Sequence, residues 1–537
     1  GIAFLLVMEY ALRRHIALFA LNLFLFIYTL YGRILPGPFS HPGLPLPRVL
    51  TAMSVEFETG VFERLPQLAL TLIGAFIVFV SIAQGFGVIN SIIRIVTSYA
   101  ARTARTIPQA AVVGSMAVAT VSGSGAANAA TTGSITIPLM KRIGLPPTIA
   151  AAIETASSLG GQLMPPIMGI SAFVMADFLG VSYFDVVARG YVPAIIYYLG
   201  VALAVYLLAA RYLPKKLALS GAGSGSTTLA KPTGLDKVNV AIFLGGIVLL
   251  IYLMGVVFMP AVYAALIASA VVLVAVTVSY YIYETRWAGS RPLEAAKGIG
   301  RSLLDSVERF SSFTADLTLL LATLGIMTGL LTITGIPTKV GFILLDIGAG
   351  NIPLLVAIGF VFGYLVGLGL PPVVTYILTA IVIAPYFIEA GINPWVVNFY
   401  AFFLGVFSEL SPPTSVTAAV AAKIANASFM RTMMDALKIC IPLYILMFSV
   451  FVRPELVVEP SAAQIINGVI IIIGTLSVVA ALWAKTHRML FLDAIIRAAL
   501  GILGISVIFL LEGIAAYAGA AVATAALAFT VLKARSE

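Results

Sequence analysis

Apolar residues run through this chain in stretches of roughly twenty, each closed by a short polar or charged segment. A helix rises about 1.5 Å per residue, so one such stretch crosses the roughly 30 Å apolar layer of a bilayer. The pattern predicts spanning helices near residues 14–31, 66–86, 190–212, 238–258, 260–283, 302–335, 434–452, 463–484, 495–512 and 513–532. Two regions depart from it. Residues 107–140 carry two apolar stretches on either side of Ser122, Gly123, Ser124 and Gly125, each only about 21 Å long as helix. Residues 146–179 break again at Gly160, Gly161, Pro165 and Pro166, which leaves carbonyls and amides without helical partners. Half-length helices predict a re-entrant hairpin whose unwound tip is buried in protein or faces a water-filled cavity.

Both departures recur. VSGSGAANAATTGSITIPLMKRIGLPP and SSLGGQLMPPIMGIS have counterparts in VGLGLPPVVTYILTAIVIAPYFIEAGINP and FSELSPPTSV. Pro138, Gly144, Pro147, Pro165 and Pro166 map onto Pro385, Gly391, Pro394, Pro412 and Pro413 at a constant offset of 247 residues. Interrupted apolar segments at matching positions of two halves point to a secondary transporter with its site where the repeats meet.

Composition supports the membrane reading. The chain is 61% hydrophobic and 10% charged, with a mean hydropathy of +1.08, outside the soluble range. The single cysteine, Cys440, excludes an intrachain disulfide, and His15, His41 and His487 have no metal-ligand spacing. A net charge of +9 does not indicate nucleic acid, because the basic residues sit in short loops between apolar spans. With Arg13 and Arg14 cytoplasmic, only Arg33, Arg48, Arg64, Arg189, Lys339 and Arg453 fall outside the positive-inside pattern. That sidedness puts the C-terminus in the cytoplasm. It also places the base of the first hairpin, with Lys141 and Arg142, inside and the base of the second, YFIEAGIN, outside. The repeats are therefore expected to be inverted, as alternating access requires.

The expected architecture is an all-α polytopic membrane protein with two inverted repeats, two re-entrant hairpins and broken helices. Scaffold helices and a proline-rich outer loop occupy 1–106, the first repeat 107–212, a cytoplasmic linker and further scaffold helices 213–300, the second repeat 301–452, and extra membrane helices 453–537.

A hairpin tip presents carbonyls at the end of its first half-helix and amides at the start of its second, so one break can hold a cation beside an anion. Ser122, Gly123, Ser124, Ser157, Ser158, Gly160 and Gly161 are the candidate cation ligands of the first repeat. Gly367, Gly369, Ser408, Ser411 and Thr414 are those of the second. Hydroxyl and carbonyl oxygens suit a hard ion such as Na⁺. Gly125, Asn128, Thr131, Thr132, Pro371 and Pro372 are the candidates for the substrate carboxylate. Small residues also let membrane helices pack closely, and Asn128 can equally serve as an interhelical hydrogen bond. Charged groups at membrane depth are costly and mark functional candidates. Glu409 leads this group, followed by Glu154 and Asp316, and any of them could carry a proton. Glu154 also admits a purely structural role, and Gln162 holds the repeat-equivalent place of Glu409.

At these motifs, over roughly residues 107–450, the chain resembles the large membrane subunit of tripartite ATP-independent periplasmic (TRAP) transporters, especially the fused permeases that work with TAXI binding proteins. The resemblance implies an elevator carrier in the prokaryotic inner membrane, which imports small dicarboxylate-like organic anions. It also implies a soluble extracytoplasmic binding protein, coupling to Na⁺ or H⁺, and no organic cofactor. Fused members carry a four-helix small subunit ahead of this region, whereas this sequence opens at GIAFLLVMEYALRRH. Those helices are expected upstream or on a separate chain.

Other classes fit less well. A serine hydrolase built on the SGSG motif lacks a histidine at membrane depth to act as base. A channel needs an open pathway. An inverted-repeat, ion-coupled carrier of another family, working without a binding protein, is the alternative.

Overall fold

The computed structural model describes residues 1–100, 105–213, 232–348, 351–412, 414–487 and 489–536. Most of the linker therefore lies outside the described residues. Among those described, every regular element is an α-helix or a short 3₁₀ turn. Eight helices are long and apolar enough to cross a membrane, or ten if two bent pairs each count as one span. All ten predicted spans have a counterpart among them. The two bends fall where the chain gives a reason. Gly60–Leu70 and Leu72–Gly85 meet at 42° around Thr71, whose hydroxyl bonds back to Gln67 O at 2.8 Å, a contact that bends helices. Phe429–Ile439 and Ile441–Val452 meet at 45° next to Pro442, which has no N–H to continue the ladder.

The half-length segments are also interrupted as expected. Ile107–Ser122 stops at Gly123, whose φ of +55° is left-handed, and a new helix runs from Gly125 to Arg142. The two arms pack against each other, with Ser115 Oγ and Thr132 Oγ1 3.1 Å apart across them. Ile352–Gly367 and Pro372–Val382 pack together likewise around a break at residues 368–371.

The chain forms two compact units. The first comprises Gly1–Gly87, Ile170–Phe184 and Ala241–Ser408, and the second Val88–Gly169, Asp185–Val240 and Glu409–Glu537. In the first unit, the helix Pro292–Thr334 has 43 residues and so extends roughly 64 Å. Its apolar half packs on the 3₁₀ turn Gly60–Phe62 through two glycines one turn apart. A Cβ on Gly325 would lie 2.4 Å from Gly60 O, and one on Gly329 3.0 Å from Gly60 N and from the Met53 side chain. Beside them the buried Glu63 takes a hydrogen bond from Thr328 Oγ1 at 2.9 Å. The second hairpin belongs to this unit and is held to Pro394–Ser408 by Tyr376 Oη to Asn398 Oδ1 at 2.8 Å.

The second unit carries the first hairpin, the broken helix that follows it, and the three C-terminal helices Ala462–Trp483, Leu490–Phe509 and Gly513–Ser536. Arg453 fixes this last group. Its Nε donates to Ile508 O at 3.0 Å, and its Nη2 to Val507 O at 2.9 Å and Leu511 O at 2.7 Å. These carbonyls lie at a helix C-terminus, where intrahelical partners run out.

The glycine contact gives a clean test. Gly325→Ala drives a methyl into the Gly60 carbonyl and is expected to destabilise by about 1–3 kcal/mol, the usual range for overpacking. Gly300→Ala, in the same helix with nothing within 4 Å of the new Cβ, is expected to be neutral or to stabilise by about 0.5–1 kcal/mol. Thermal unfolding of the detergent-solubilised variants measures both, and equal melting temperatures would contradict the packing.

Candidate functional site

Two polar clusters occupy the second unit, each built around one carboxylate. The inner one surrounds Glu154, on the helix Pro147–Leu159, which is fully buried. Glu154 Oε1 accepts from Ser115 Oγ and Ser158 Oγ, both at 3.1 Å, and from Thr132 Oγ1, while Oε2 accepts from Thr136 Oγ1. The spacing explains the convergence. Thr132 and Thr136 are four residues apart on one hairpin arm, and Glu154 and Ser158 four apart on the broken helix, so each pair shares a face. Ser115 closes the ring from the other arm. Gly133 lets the arm approach, since a Cβ there would stand 2.9 Å from Glu154 Cγ.

The outer cluster surrounds Glu409, which is only partly buried. It accepts hydrogen bonds from Gln162 Nε2 and Thr417 Oγ1. Gln162 and Glu409 are 247 residues apart, the offset that relates the two repeats. The tip of the first hairpin sits against this carboxylate: a Cβ on Gly125 would be 3.2 Å from both Glu409 oxygens and 2.9 Å from Thr417 Oγ1. Gly125 opens the helix that runs to Arg142, so Glu409 stands at an amide-rich, positive helix end.

The tip has little freedom. Gly123 is left-handed, and a Cβ there would meet Met168 O at 2.5 Å, so glycine alone fits. Ser124 caps the second arm, its Oγ accepting from Ala127 N at 3.4 Å. Ser122 ends the first arm, and its side chain lies outside the described residues. Gly160 and Gly161 form the 3₁₀ turn after Leu159, where a Cβ on Gly161 would be 3.1 Å from Asn128 Nδ2. Asn128 donates to Ser115 O at 2.9 Å, and its buried Oδ1 has no partner among the described residues. Thr131 bonds back to Ala127 O at 2.8 Å. Ser157 donates to Ile153 O at 2.7 Å, away from its neighbour's cluster. The chain after Glu409 supplies Ser411, whose buried Oγ has no partner among the described residues, and the exposed Thr414, whose hydroxyl bonds Ser411 O at 3.1 Å. Ser415 caps the following helix through Ala418 N at 3.1 Å, and Lys141 Nζ caps its far end through Ala425 O at 2.6 Å.

In the first unit, the second hairpin tip brings Gly367 against Ser408, where a Cβ would stand 2.3 Å from the Ser408 Cβ. Ser408 Oγ donates to Gly405 O at 2.7 Å and accepts from Thr375 Oγ1 at 3.1 Å. Gly369 is left-handed at φ +79°, and Pro371 and Pro372 begin the second arm. Asp316 lies elsewhere in this unit, exposed and bonded by Tyr10 Oη at 2.8 Å. Thr417, Ser115 and Thr136 are the members of the two clusters that sequence reasoning passes over. The i, i+4 spacing of Thr132 with Thr136 is the one signal that would have brought Thr136 forward.

Among the described residues no group of three or more His, Cys, Asp or Glu could hold a metal ion. Neither carboxylate cluster contains a lysine or arginine hydrogen-bond donor.

Comparison with known proteins adds a family and one relative. Over 85 residues the chain is 36% identical to the "Uncharacterized protein y4mL" of Sinorhizobium fredii (strain NBRC 101917 / NGR234), a match covering 16% of this chain and 20% of the relative. The chain thus spans about 20% of the length of that curated relative. A far longer match is to the family described as "Tripartite ATP-independent periplasmic transporter, DctM component", over residues 2–456. It takes in both hairpins, both broken helices and both carboxylate clusters, and the chain belongs to this family.

Proposed function

We propose that the chain is the membrane permease of a TRAP system, a secondary active importer of small dicarboxylate-like organic anions coupled to Na⁺ or H⁺. In this reading a soluble extracytoplasmic binding protein delivers the substrate, small-subunit helices complete the scaffold, and the two repeats work by an elevator motion. The protein lies in the prokaryotic inner membrane with its C-terminus in the cytoplasm.

The observation that carries the reading is Glu409 bonded to its repeat equivalent Gln162 at the amide end of the first hairpin tip. A carboxylate at membrane depth with only neutral partners is costly unless a cation or proton accompanies it. Here the partners are a threonine and a glutamine. Neutralising Glu409 frees the helix end for a second anion, so cation and substrate occupy the tip together or not at all. The oxygen groups at Gly123, Ser124, Gly160 and Gly161 offer ligands to a cation beside the first tip, and Gly367, Gly369 and Ser408 in the first unit, with Ser411 and Thr414 in the second, are the remaining candidates. Asn128, with an unpartnered carbonyl oxygen behind the tip, belongs with the substrate group in this scheme.

Glu154 has a different task. Four hydroxyls already satisfy it, and they come from both hairpin arms and the broken helix. It ties these three segments into one body, so that the tip moves with the unit that carries it.

Two measurements test the proposal. In proteoliposomes supplied with the binding protein and candidate dicarboxylates, substrate should accumulate only under a Na⁺ or H⁺ gradient, and Ser124→Leu should abolish uptake while inserting normally. Equal accumulation without either gradient rejects secondary coupling.

The two carboxylates should separate cleanly on substitution. Glu409→Gln should keep the wild-type melting temperature yet lose at least about tenfold in gradient-driven uptake. Glu154→Leu should instead lower stability by about 3–5 kcal/mol, since the buried Ser115 and Ser158 hydroxyls lose their carboxylate acceptor, Thr132 and Thr136 keep only backbone carbonyls, and the packing changes. A thermal scan paired with uptake assays distinguishes them, and identical behaviour of the two variants would remove the assigned roles.

A further inference from the structure

The first unit holds a cavity of about 730 Å³ that the transport reading leaves unused. Three elements wall it: the helix Ile2–Arg14, the end of Leu72–Gly85 and the long helix Pro292–Thr334. On each of them, the cavity residues stand at the end of an apolar stretch or in the polar break beside one. Arg14 lies two residues before the apolar span Ile16–Ile34, and Gln84 is in the last turn of an apolar helix. Between Asp305 and Leu319 the long helix passes from charged turns to its buried apolar half. Ends of three apolar stretches around one cavity fit a position at the membrane–water interface.

The charges in its wall are only partly matched. Arg309 pairs with Asp305 at 3.0 Å, and Tyr10 Oη donates to Asp316 Oδ1 at 2.8 Å. Arg14 and Glu308 form no ion pair among the described residues. After internal pairing, one guanidinium and two carboxylates remain to meet a ligand. Beside them Phe313, 44% exposed, and Leu319 offer apolar surface. The complementary molecule carries one phosphate, one primary ammonium and hydrocarbon. A guanidinium suits the phosphate oxygens, and a primary ammonium can donate to carboxylates where a quaternary one has no N–H.

We propose that this cavity binds the headgroup of a phospholipid with a primary ammonium, of which phosphatidylethanolamine is the simplest, with Arg14 on the phosphate and Asp316 and Glu308 on the ammonium. The bound lipid joins the helix Ile2–Arg14 to the long helix within this unit. The inference does not rest on the transport reading, and a failure of either leaves the other standing.

The experiment is native mass spectrometry of the full, delipidated chain titrated with phosphatidylethanolamine, phosphatidylglycerol or phosphatidylcholine, and with soluble phosphoethanolamine as a headgroup without chains. One phosphatidylethanolamine should bind about tenfold more tightly than either other lipid, the margin expected of one charge-assisted hydrogen bond. The double variant Arg14→Gln with Asp316→Asn should erase that preference. The single variant Glu308→Gln, at an exposed position, should weaken it several-fold with folding untouched. Equal binding of phosphatidylcholine, an unchanged preference in the Glu308 variant, or equally tight binding of soluble phosphoethanolamine would overturn the proposal.

Discussion

Everything in this fold follows from the cost of an unpaired backbone group where water cannot reach it. The chain nevertheless interrupts its helices at residues 123–124, 163–169, 368–371 and 409–415. Each break is tolerated because nearby groups take over the lost partners. Ser124 and Ser415 cap the helices that restart after two of them. Gly169 N returns to Gln162 O at 2.9 Å, and Thr414 N to Ser411 O at 2.9 Å. What these caps leave unsatisfied is what a ligand can use. In the proposed function, the tip of the first hairpin serves as the anion site because it is a repaired break whose second arm opens beside Glu409.

The two carboxylates of the second unit place the same chemical group in two different settings. Glu154 is sealed and has four hydroxyl donors; Glu409 is partly accessible and has two neutral ones. A fully hydrogen-bonded buried network rigidifies the elements it joins. One with spare acceptor capacity and access to its surroundings stays responsive to protons and ions. In the proposed scheme, the number of donors, more than depth alone, separates the structural acid from the exchangeable one.

Much of this was legible in the sequence because membranes impose simple rules. Spans of about twenty apolar residues could be counted, and even the two bent ones have their causes, Thr71 and Pro442, in plain view. The hairpin breaks were legible because glycine and proline are the residues that end helices. Glu409 stood out as a charge among apolar neighbours, and the 247-residue offset named Gln162 as its counterpart. That the two touch was beyond reach, since an offset relates topology and says nothing of distance. Thr417, Ser115 and Thr136 escaped for a related reason. A hydroxyl on a membrane helix satisfies itself on its own backbone as readily as it bonds a partner, as Thr131 and Ser157 do, and only packing decides between these. Nor could the sequence foresee that Ser408 and Glu409, adjacent in one motif, fall in different compact units.

The C-terminal helices follow the same logic as the breaks. The family match ends at residue 456, three positions after Arg453, yet that arginine already spends its guanidinium on the carbonyls of Val507, Ile508 and Leu511. A buried guanidinium is expensive without acceptors, and helix-end carbonyls are expensive without donors. Each cost is met by the other. Gln464, just beyond the matched region, reaches back to Leu456 O at 2.9 Å and to Arg189 O at 3.2 Å. The junction is thus stitched in both directions by groups that would otherwise be unsatisfied. The added helices are integral to the second unit's polar accounting, and the matched region cannot be cut from them without exposing an uncompensated charge.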